Sequence, residues 1–310
     1  MGLKIIQPGP QCTLQAAPRF GMRHMGIPAS GPADILSHAI ANRLVSNPPE
    51  SAALEITYGP FEIQFLCDTS FSLTGAEAEA TLNGGALAYH TSLSASEGDV
   101  LKLGVTHAGL RTYLALSGGL RGRRFLGSTS TYLPAGFGGH EGRALRTGDI
   151  VELKQPGLIL PTGNHTPSEL RLKYGNSFAL RSSPGPDLEI EAPQLWSESF
   201  TATRRADRSG IELEGPFPDL TNIGNLPSAG ILPGALQLPS QGRGFLLLPD
   251  CQTTGGYPHI LQVNRADRHL MGQIRPGDSI IFLKRSPDQA AEDLKAKQAL
   301  IGSWISEFSL

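Results

Sequence analysis

The densest group of chemistry-bearing side chains in this sequence is the stretch PDCQTTGGYPH at 249–259, which follows directly on the apolar run GFLLL. Gln252, Thr253 and Thr254 donate and accept hydrogen bonds without carrying charge. Tyr257 adds a flat ring with a hydroxyl, and Pro258 stiffens the backbone after it. Gly255 and Gly256 either let a backbone approach a ligand closely or supply positive φ for a turn. A strand ending in this way closes an ordinary turn or holds neutral polar groups over a pocket. The ligand that fits such a pocket is an amide-like group or a developing oxyanion, because fixed donors stabilise charge as it forms. The set does not suit a metal and contains no obvious nucleophile.

A second region with chemical content is GIPASGPADILSHAIANRLVSNPPESAALEITYGP at 26–60. Asn42 falls mid-helix, where its propensity is poor, so its amide needs a particular partner. Glu55 sits between apolar neighbours at the start of a strand, where a carboxylate is half buried. A satisfied buried polar group that organises loops is the plainer reading of both, and it stands slightly ahead of a catalytic role. GFGGHEGR at 136–143 offers backbone N–H groups and Arg143 to an anion, but no helix obviously follows, which favours a simple turn. The phosphate loop G-x-x-x-x-G-K-[ST], the zinc pair H-E-x-x-H, C-x-x-C and the G-x-S-x-G elbow are all missing. The eight histidines fall at no ligand-like spacing, so no structural metal is expected.

The elements that must position these residues are short. Apolar runs with β-branched or aromatic residues and Gly or Pro boundaries predict strands at 54–58, 61–66, 71–74, 100–103, 112–116 and 150–153. A second series follows at 177–181, 188–191, 245–248, 259–263 and 279–283. Only two helices are indicated. One covers 34–45, with Ile35, Leu36, Ala39, Ile40 and Leu44 on one face and SNPP stopping it. The other starts near the C-terminus with Ser286 as cap and Pro287 in the first turn, and Leu294, Leu300, Ile301 and Trp304 give it a loose apolar stripe. The halves echo each other in order: GLRTYLALSGG (109–119) with GRGFLLLPDCQTTGG (242–256), and LRTGDIVEL (145–153) with IRPGDSIIFL (274–283). GMRHMGIPASG (21–31) echoes ADRSGIELEG (206–215) more weakly. R-x-G-D is a common hairpin turn, so chance is the competing explanation. The echoes indicate two related β domains in tandem, 1–165 and 166–310, the second ending in a helix, with the Pro- and Gly-rich 154–170 as linker.

Composition narrows the function classes. A formal charge of −2 without a basic cluster argues against nucleic acid as main partner. No apolar run approaches the ~18 residues of a membrane span, and Gln7 and Pro8 break any secretory core at the start. Three widely spaced cysteines, Cys12, Cys67 and Cys251, suit reduced thiols, so a cytoplasmic location is expected. Thirty-seven glycines and twenty-four prolines punctuate the apolar runs, the pattern of a mainly β chain with many turns.

At these residues the chain resembles a known family. IQPGPQCTLQ, GIPASGPAD, ALEITYGP, LTGAEAEATLNG, LALSGGL, LGSTST and GGHEGRALRTGD in the first half, with RSSPGP, DRSGIELEG, GILPGALQLPSQG, DCQTTGGYPHI and QIRPGDSIIF in the second, are similar to the allophanate hydrolase subunit 2 or KipA family. That family includes the C component of 5-oxoprolinase and is biotin-dependent carboxyltransferase-like. The resemblance covers nearly the whole chain, and QTTGGYP is its most specific motif. It implies a mainly β fold of two tandem cyclophilin-like β-barrel domains with few helices. It also implies a subunit of an ATP-dependent amide or lactam hydrolase, the C component of 5-oxoprolinase foremost, opening 5-oxoproline to glutamate. The implied partners are a KipI or allophanate hydrolase subunit 1-type subunit and a third subunit of LamB/YcsF type, with ATP used by the complex. Two alternatives come with it. One is a carboxyltransferase component moving a carboxyl group from carboxybiotin, supplied by a partner, to urea or a similar amide. The other is a non-enzymatic, KipA-like antagonist of a histidine-kinase inhibitor.

The resemblance assigns roles residue by residue. Gln252, Thr253, Thr254, Tyr257 and Arg208 are implied as catalytic, and Gly255, Gly256, Gln237, Gln273, Arg19, Gln15, Glu55 and Asn42 as substrate-binding. Cys251 becomes a packing residue. One departure stands out: where the family has Gln-Asp-x-Gly-Arg, this chain reads Gln15-Ala16-Ala17-Pro18-Arg19. If the missing aspartate is a base or orients Arg19, activity or substrate changes; if it shapes a turn, Pro18 compensates.

Overall fold

The computed structural model describes residues 1–188, 191–220, 226–239 and 242–310. They divide into two compact units. The first comprises Met1–Arg19, Ser30–Lys173 and Leu300–Ser309; the second comprises Phe20–Ala29, Tyr174–Ala299 and Leu310.

In the first unit the strands are β1 (Gly2–Gln7), β2 (Gln11–Gln15), β3 (Ala53–Thr57), β4 (Phe61–Phe65), β5 (Thr69–Gly75) and β6 (Ala80–Leu82). They continue as β7 (Gly85–Ala86), β8 (Ser92–Ala95), β9 (Val100–Leu103), β10 (Arg111–Leu116) and β11 (Ile150–Glu152). They pair into a six-stranded sheet, β11-β1-β4-β9-β6-β7, and a five-stranded sheet, β2-β3-β10-β5-β8. The sequence of β5 explains how helix α1 (Ile35–Leu44) lies on the second sheet. Its alternate residues Phe71 and Leu73 join the apolar core, while Ser72 and Thr74 point the other way. There their hydroxyls donate to the Ala41 and Ser37 carbonyls of α1, at 2.7 and 2.6 Å. Asp34 caps α1 by accepting from the Ser37 N–H at 3.0 Å.

The second unit contains β12 (Ser177–Pro184), β13 (Ser199–Ala206), β14 (Gly210–Glu214), β15 (Ala229–Gly230), β16 (Ala235–Gln237) and β17 (Gly244–Leu247). After them come β18 (Thr254–Gly255), β19 (His259–Val263) and β20 (Ser279–Lys284). Seven of these close into a barrel in the order β12-β19-β16-β17-β14-β13-β20, sealed by the parallel pairing of β12 with β20. Closure removes every free edge from those strands. Leu180, Phe200, Leu213, Leu236, Leu246 and Phe282 fill its core. Two helices complete the chain, the single turn α2 (Gln194–Ser197) and α3 (Pro287–Gly302). Ser286 and Gln289 cap α3 reciprocally, as Gln289 N–H donates to Ser286 Oγ at 3.2 Å and Ser286 N–H to Gln289 Oε1 at 2.9 Å.

The mainly β class with few helices is borne out. The strand expected at 188–191 includes Glu189 and Ile190, which lie outside the described residues. The R-x-G-D echo is structural as well as textual. Arg146 N–H donates to Asp149 Oδ2 and Arg275 N–H to Asp278 Oδ2, both at 2.7 Å, and Gly148 and Gly277 both adopt φ +91°. Each turn delivers the chain into a strand, β11 and β20.

Candidate functional site

In the second unit, β17 leads into a turn that is pinned to the β13–β14 connection. Leu248 N–H donates to the Ser209 carbonyl at 2.9 Å and Asp250 N–H to the Arg208 carbonyl at 3.0 Å. The side chains of the same two segments also meet. Arg208 Nε lies 2.8 Å from Asp250 Oδ2 and its Nη2 3.2 Å from Oδ1, with both side chains buried. Arg208 therefore fixes the entry to the QTTGGYP segment and does not line the open cleft beside it. Cys251 packs with Ile231, Ala235 and Leu247, and burial pushes its thiol up to about 11 against the pull of Arg23. A thiol so protonated packs rather than attacks.

The two glycines do not make a turn. Thr254 and Gly255 form β18, paired antiparallel with Ala229 and Gly230, and neither Gly255 nor Gly256 has positive φ. Their requirement is close approach. A Cβ on Gly255 would sit 2.5 Å from Gln237 Nε2, and one on Gly256 would sit 3.0 Å from the Leu226 carbonyl oxygen.

The Gln237 side chain laid over Gly255 is the organising contact of the site. Its Nε2 donates to the Tyr257 carbonyl at 3.1 Å, and its Oε1 accepts from Gln252 Nε2 at 3.0 Å. Because a carbonyl can only accept, the first bond dictates which end of Gln237 carries oxygen, and that in turn dictates the orientation of Gln252. Gln237 is buried, whereas Gln252 and Tyr257 are exposed. All three line a cleft of about 770 Å³ whose other walls carry Arg204, Arg205, Arg243 and Asp207.

The cations of this cleft are unevenly committed. Arg243 reaches Glu212 at 3.1 Å and Glu214 at 2.7 Å; Arg205 reaches Glu212 at 3.4 Å and lies over the Phe245 ring. Burial alone would raise the Glu212 carboxyl, but hydrogen bonds from Thr203 and Arg243 outweigh it and hold it below the usual range. Arg204 makes no ion pair among the described residues.

Sequence reasoning missed these arginines, although the adjacent pair Arg204-Arg205 in TATRRADRSG was a visible signal. It also missed Arg23, whose Nη2 donates to the Ile231 carbonyl and to the Gln252 carbonyl, the latter at 3.3 Å. Thr253 and Thr254 stand apart from the cleft. The Thr253 carbonyl accepts from Ile231 N–H at 3.0 Å, and Thr254 belongs to β18. Gln273 ends a 3-10 helix, fully buried and likewise away from the cleft.

The remaining expected residues belong to the first unit, where each is built into the fold. Glu55 Oε2 accepts from the Tyr113 hydroxyl at 2.9 Å and from Ala33 N–H at 2.8 Å, and Arg111 lies 3.4 Å from Oε1. Asn42 Nδ2 donates to the Ser51 carbonyl at 2.9 Å, while its Oδ1 accepts from Asn47 at 3.0 Å, which organises the 46–51 loop. Gln15 Nε2 donates to Thr13 Oγ1 at 3.0 Å. Arg19 is buried, donates to the Phe125 and Ser130 carbonyls at 3.0 and 2.9 Å, and lies over the rings of Phe125 and Phe137. Beside it the Ser130 hydroxyl accepts from the Ala16 N–H at 3.0 Å and donates to the Ala16 carbonyl at 2.8 Å, which fixes the backbone at the position where the family has its aspartate. In GFGGHEGR, Arg143 closes a turn onto Asp149 at 2.6 and 2.9 Å, the simple-turn reading.

The sequence model of the carboxyltransferase domain, subdomain A and B, matches residues 25–284. The chain belongs to this family. This carboxyltransferase domain is 36% identical over 300 residues to the C component of the 5-oxoprolinase of Escherichia coli strain K12, covering 96% of this chain and 94% of that protein. It is 30% identical over 294 residues to the corresponding 5-oxoprolinase component of Haemophilus influenzae, covering 94% and 93%. Among solved structures it superposes on the K. lactis urea amidolyase with a TM-score of 0.90 at 28% identity, over 98% of this chain and 20% of that one. The resemblance read from QTTGGYP and its companion motifs is thus borne out. No helix among the described residues is long and apolar enough to cross a membrane. Among them no group of three His, Cys, Asp or Glu side chains is placed to hold a metal ion.

Proposed function

We propose that this carboxyltransferase domain works as the C component of an ATP-dependent 5-oxoprolinase, with a KipI-type subunit and a LamB/YcsF-type subunit, and that it holds the lactam in the Gln252 cleft. The observation that carries the reading is the amide relay from the Tyr257 carbonyl through Gln237 to Gln252. Because Gln252 spends one N–H on Gln237, its Oε1 and second N–H complement the N–H and C=O edges of a lactam. The Tyr257 hydroxyl adds a donor for the oxygen as charge develops there. Arg204, on the same cleft, supplies a cation for a carboxylate carried by the substrate. A urea has no such group; 5-oxoproline does.

What ATP supplies in the complex is activation of an unreactive amide. The cleft does not fit a triphosphate, because Arg243 and Arg205 pair with Glu212 and Glu214, which leaves Arg204 as the one arginine of its walls without an ion pair among the described residues to meet several negative charges. These residues bind, orient and polarise the lactam.

A second reading, transfer of a carboxyl group from a partner's carboxybiotin to urea, is favoured by the superposition on the urea amidolyase. Reconstitution with the two partner subunits separates the two. ATP-dependent formation of glutamate from 5-oxoproline is the expected result. Bicarbonate- and biotin-dependent carboxylation of urea without glutamate formation would overturn the proposal.

A further inference from the structure

A second cleft, of about 790 Å³, lies wholly within the first unit, and none of the residues assigned to the lactam lines it. The backbone builds it deliberately. After β10, Gly118 and Gly119 adopt φ +86° and +66°, and a Cβ on Gly118 would fall 2.5 Å from the Gln155 carbonyl oxygen. Lys154 N–H donates to the Gly119 carbonyl at 2.9 Å and Gln155 N–H to the Gly118 carbonyl at 3.2 Å, which fixes Lys154 at the cleft wall. Gly122 brings the following arginine segment flush against 128–129, since a Cβ there would be 2.5 Å from Thr129 Cγ2.

The charges on these walls are mostly positive. Arg121, Arg124 and Lys154 line the cleft with a single carboxylate, Glu50. Arg121 is shared with Glu152 at 3.6 Å in an exposed pair, which holds it weakly. Arg124 and Lys154 are exposed, and neither side chain has a hydrogen bond or ion pair among the described residues. On a chain whose formal charge is −2, two uncommitted cations at one cleft are a local excess that calls for an anion. A phosphate group carries roughly −2 and three acceptor oxygens, matching a guanidinium plus an ammonium where a carboxylate carries half that charge. The rest of the lining is apolar or neutral, including Ala52, Leu120 and Pro156, and so accommodates an uncharged body attached to the phosphate.

We propose that this cleft is a binding site for a small phosphate-bearing molecule. The test is isothermal titration of the whole purified chain, without partner subunits, using pyrophosphate, inorganic phosphate, ATP and, as a carboxylate control, citrate. The chain with Arg124→Gln and Lys154→Gln is titrated in parallel, its melting temperature confirming that these exposed changes leave the fold intact. Saturable binding of pyrophosphate that weakens about tenfold or more in the double variant and with added salt is expected. ATP binding more tightly than pyrophosphate would identify a nucleotide as the occupant, and equal affinity would identify the phosphate group alone; both support the site. No saturable binding, an unchanged affinity in the double variant, or citrate binding as tightly as pyrophosphate would overturn it. Because partner subunits and lactam are absent, the outcome is independent of the 5-oxoprolinase reading.

Discussion

Gln252 and Gln237 face each other across 3.0 Å, donor to acceptor, and the acceptor's other end is anchored on the Tyr257 carbonyl. The exposed amide is thus oriented by the buried one, and the two act as a unit. Gln252→Ala and Gln237→Leu should each lower kcat/KM of the reconstituted complex by about 10- to 100-fold, the worth of one or two oriented hydrogen bonds. The double variant should be little worse than either single variant. Steady-state kinetics on the three variants measure this coupling; additive losses would show that the two amides act separately.

Gly255→Ala tests the same relay from beneath. The new methyl would meet the Gln237 amide at 2.5 Å, and that amide is the end of a flexible side chain. Stability should therefore fall by no more than ~1 kcal/mol, while activity falls as far as in Gln237→Leu. Urea denaturation and kinetics on one preparation check both halves of this expectation.

The buried pair of Arg208 and Asp250 should matter to folding first. Arg208→Met leaves a buried carboxylate uncompensated and should destabilise the chain by ~3–5 kcal/mol. Adding Asp250→Leu should recover much of that loss, as measured by the urea midpoint. An Arg208→Met variant of undiminished stability but no activity would instead return Arg208 to the catalytic role that the family resemblance implied.

Two buried histidines set the acid limit of the first unit. Burial lowers His38 to about 4, despite the opposing pull of the Gln15 carbonyl, Glu55 and Asp34. Burial, aided by Arg171, likewise lowers His90 to about 4 against Asp34. Both are neutral in the fold and protonate in the unfolded chain from its value of 6.5 downward. Between these limits the unfolded chain binds more protons, so stability is full above pH 6.5 and is lost as pH falls toward 4. Each histidine should account for about 2 kcal/mol of loss between pH 7 and pH 5. His90→Gln should flatten that dependence when urea midpoints are compared across the range.

Much of the local chemistry was legible in the sequence. The R-x-G-D turns, the Ser286 cap and the apolar runs of the strands depend on neighbours a few residues away, and the structure has them where the spacing placed them. Asn42 and Glu55 are buried and hydrogen-bonded within the fold, as a mid-helix amide and a carboxylate between apolar neighbours indicated. The site's organisation was less legible because its contacts are distant in sequence. Arg208 meets Asp250 forty-two positions on, and Arg23 reaches the Gln252 carbonyl across 229. The motif's glycines fitted a turn as well as a close approach, since composition cannot distinguish positive φ from a side chain packed overhead. Strands β13 and β14 escaped notice for a related reason: SFTATRRA and GIELE put polar residues on alternate positions, which weakens an apolar run without weakening a barrel strand.

The central claim is that the Gln252 cleft reads a lactam bearing a carboxylate, with Arg204 as the cation. It is tested most directly by comparing kcat/KM of the reconstituted complex for 5-oxoproline and for its uncharged carboxamide, with wild-type chain and with Arg204→Gln. The wild type should prefer the acid by about tenfold or more, and Arg204→Gln should erase most of that preference through a raised KM for the acid alone. An equal preference in wild type and variant would contradict the claim.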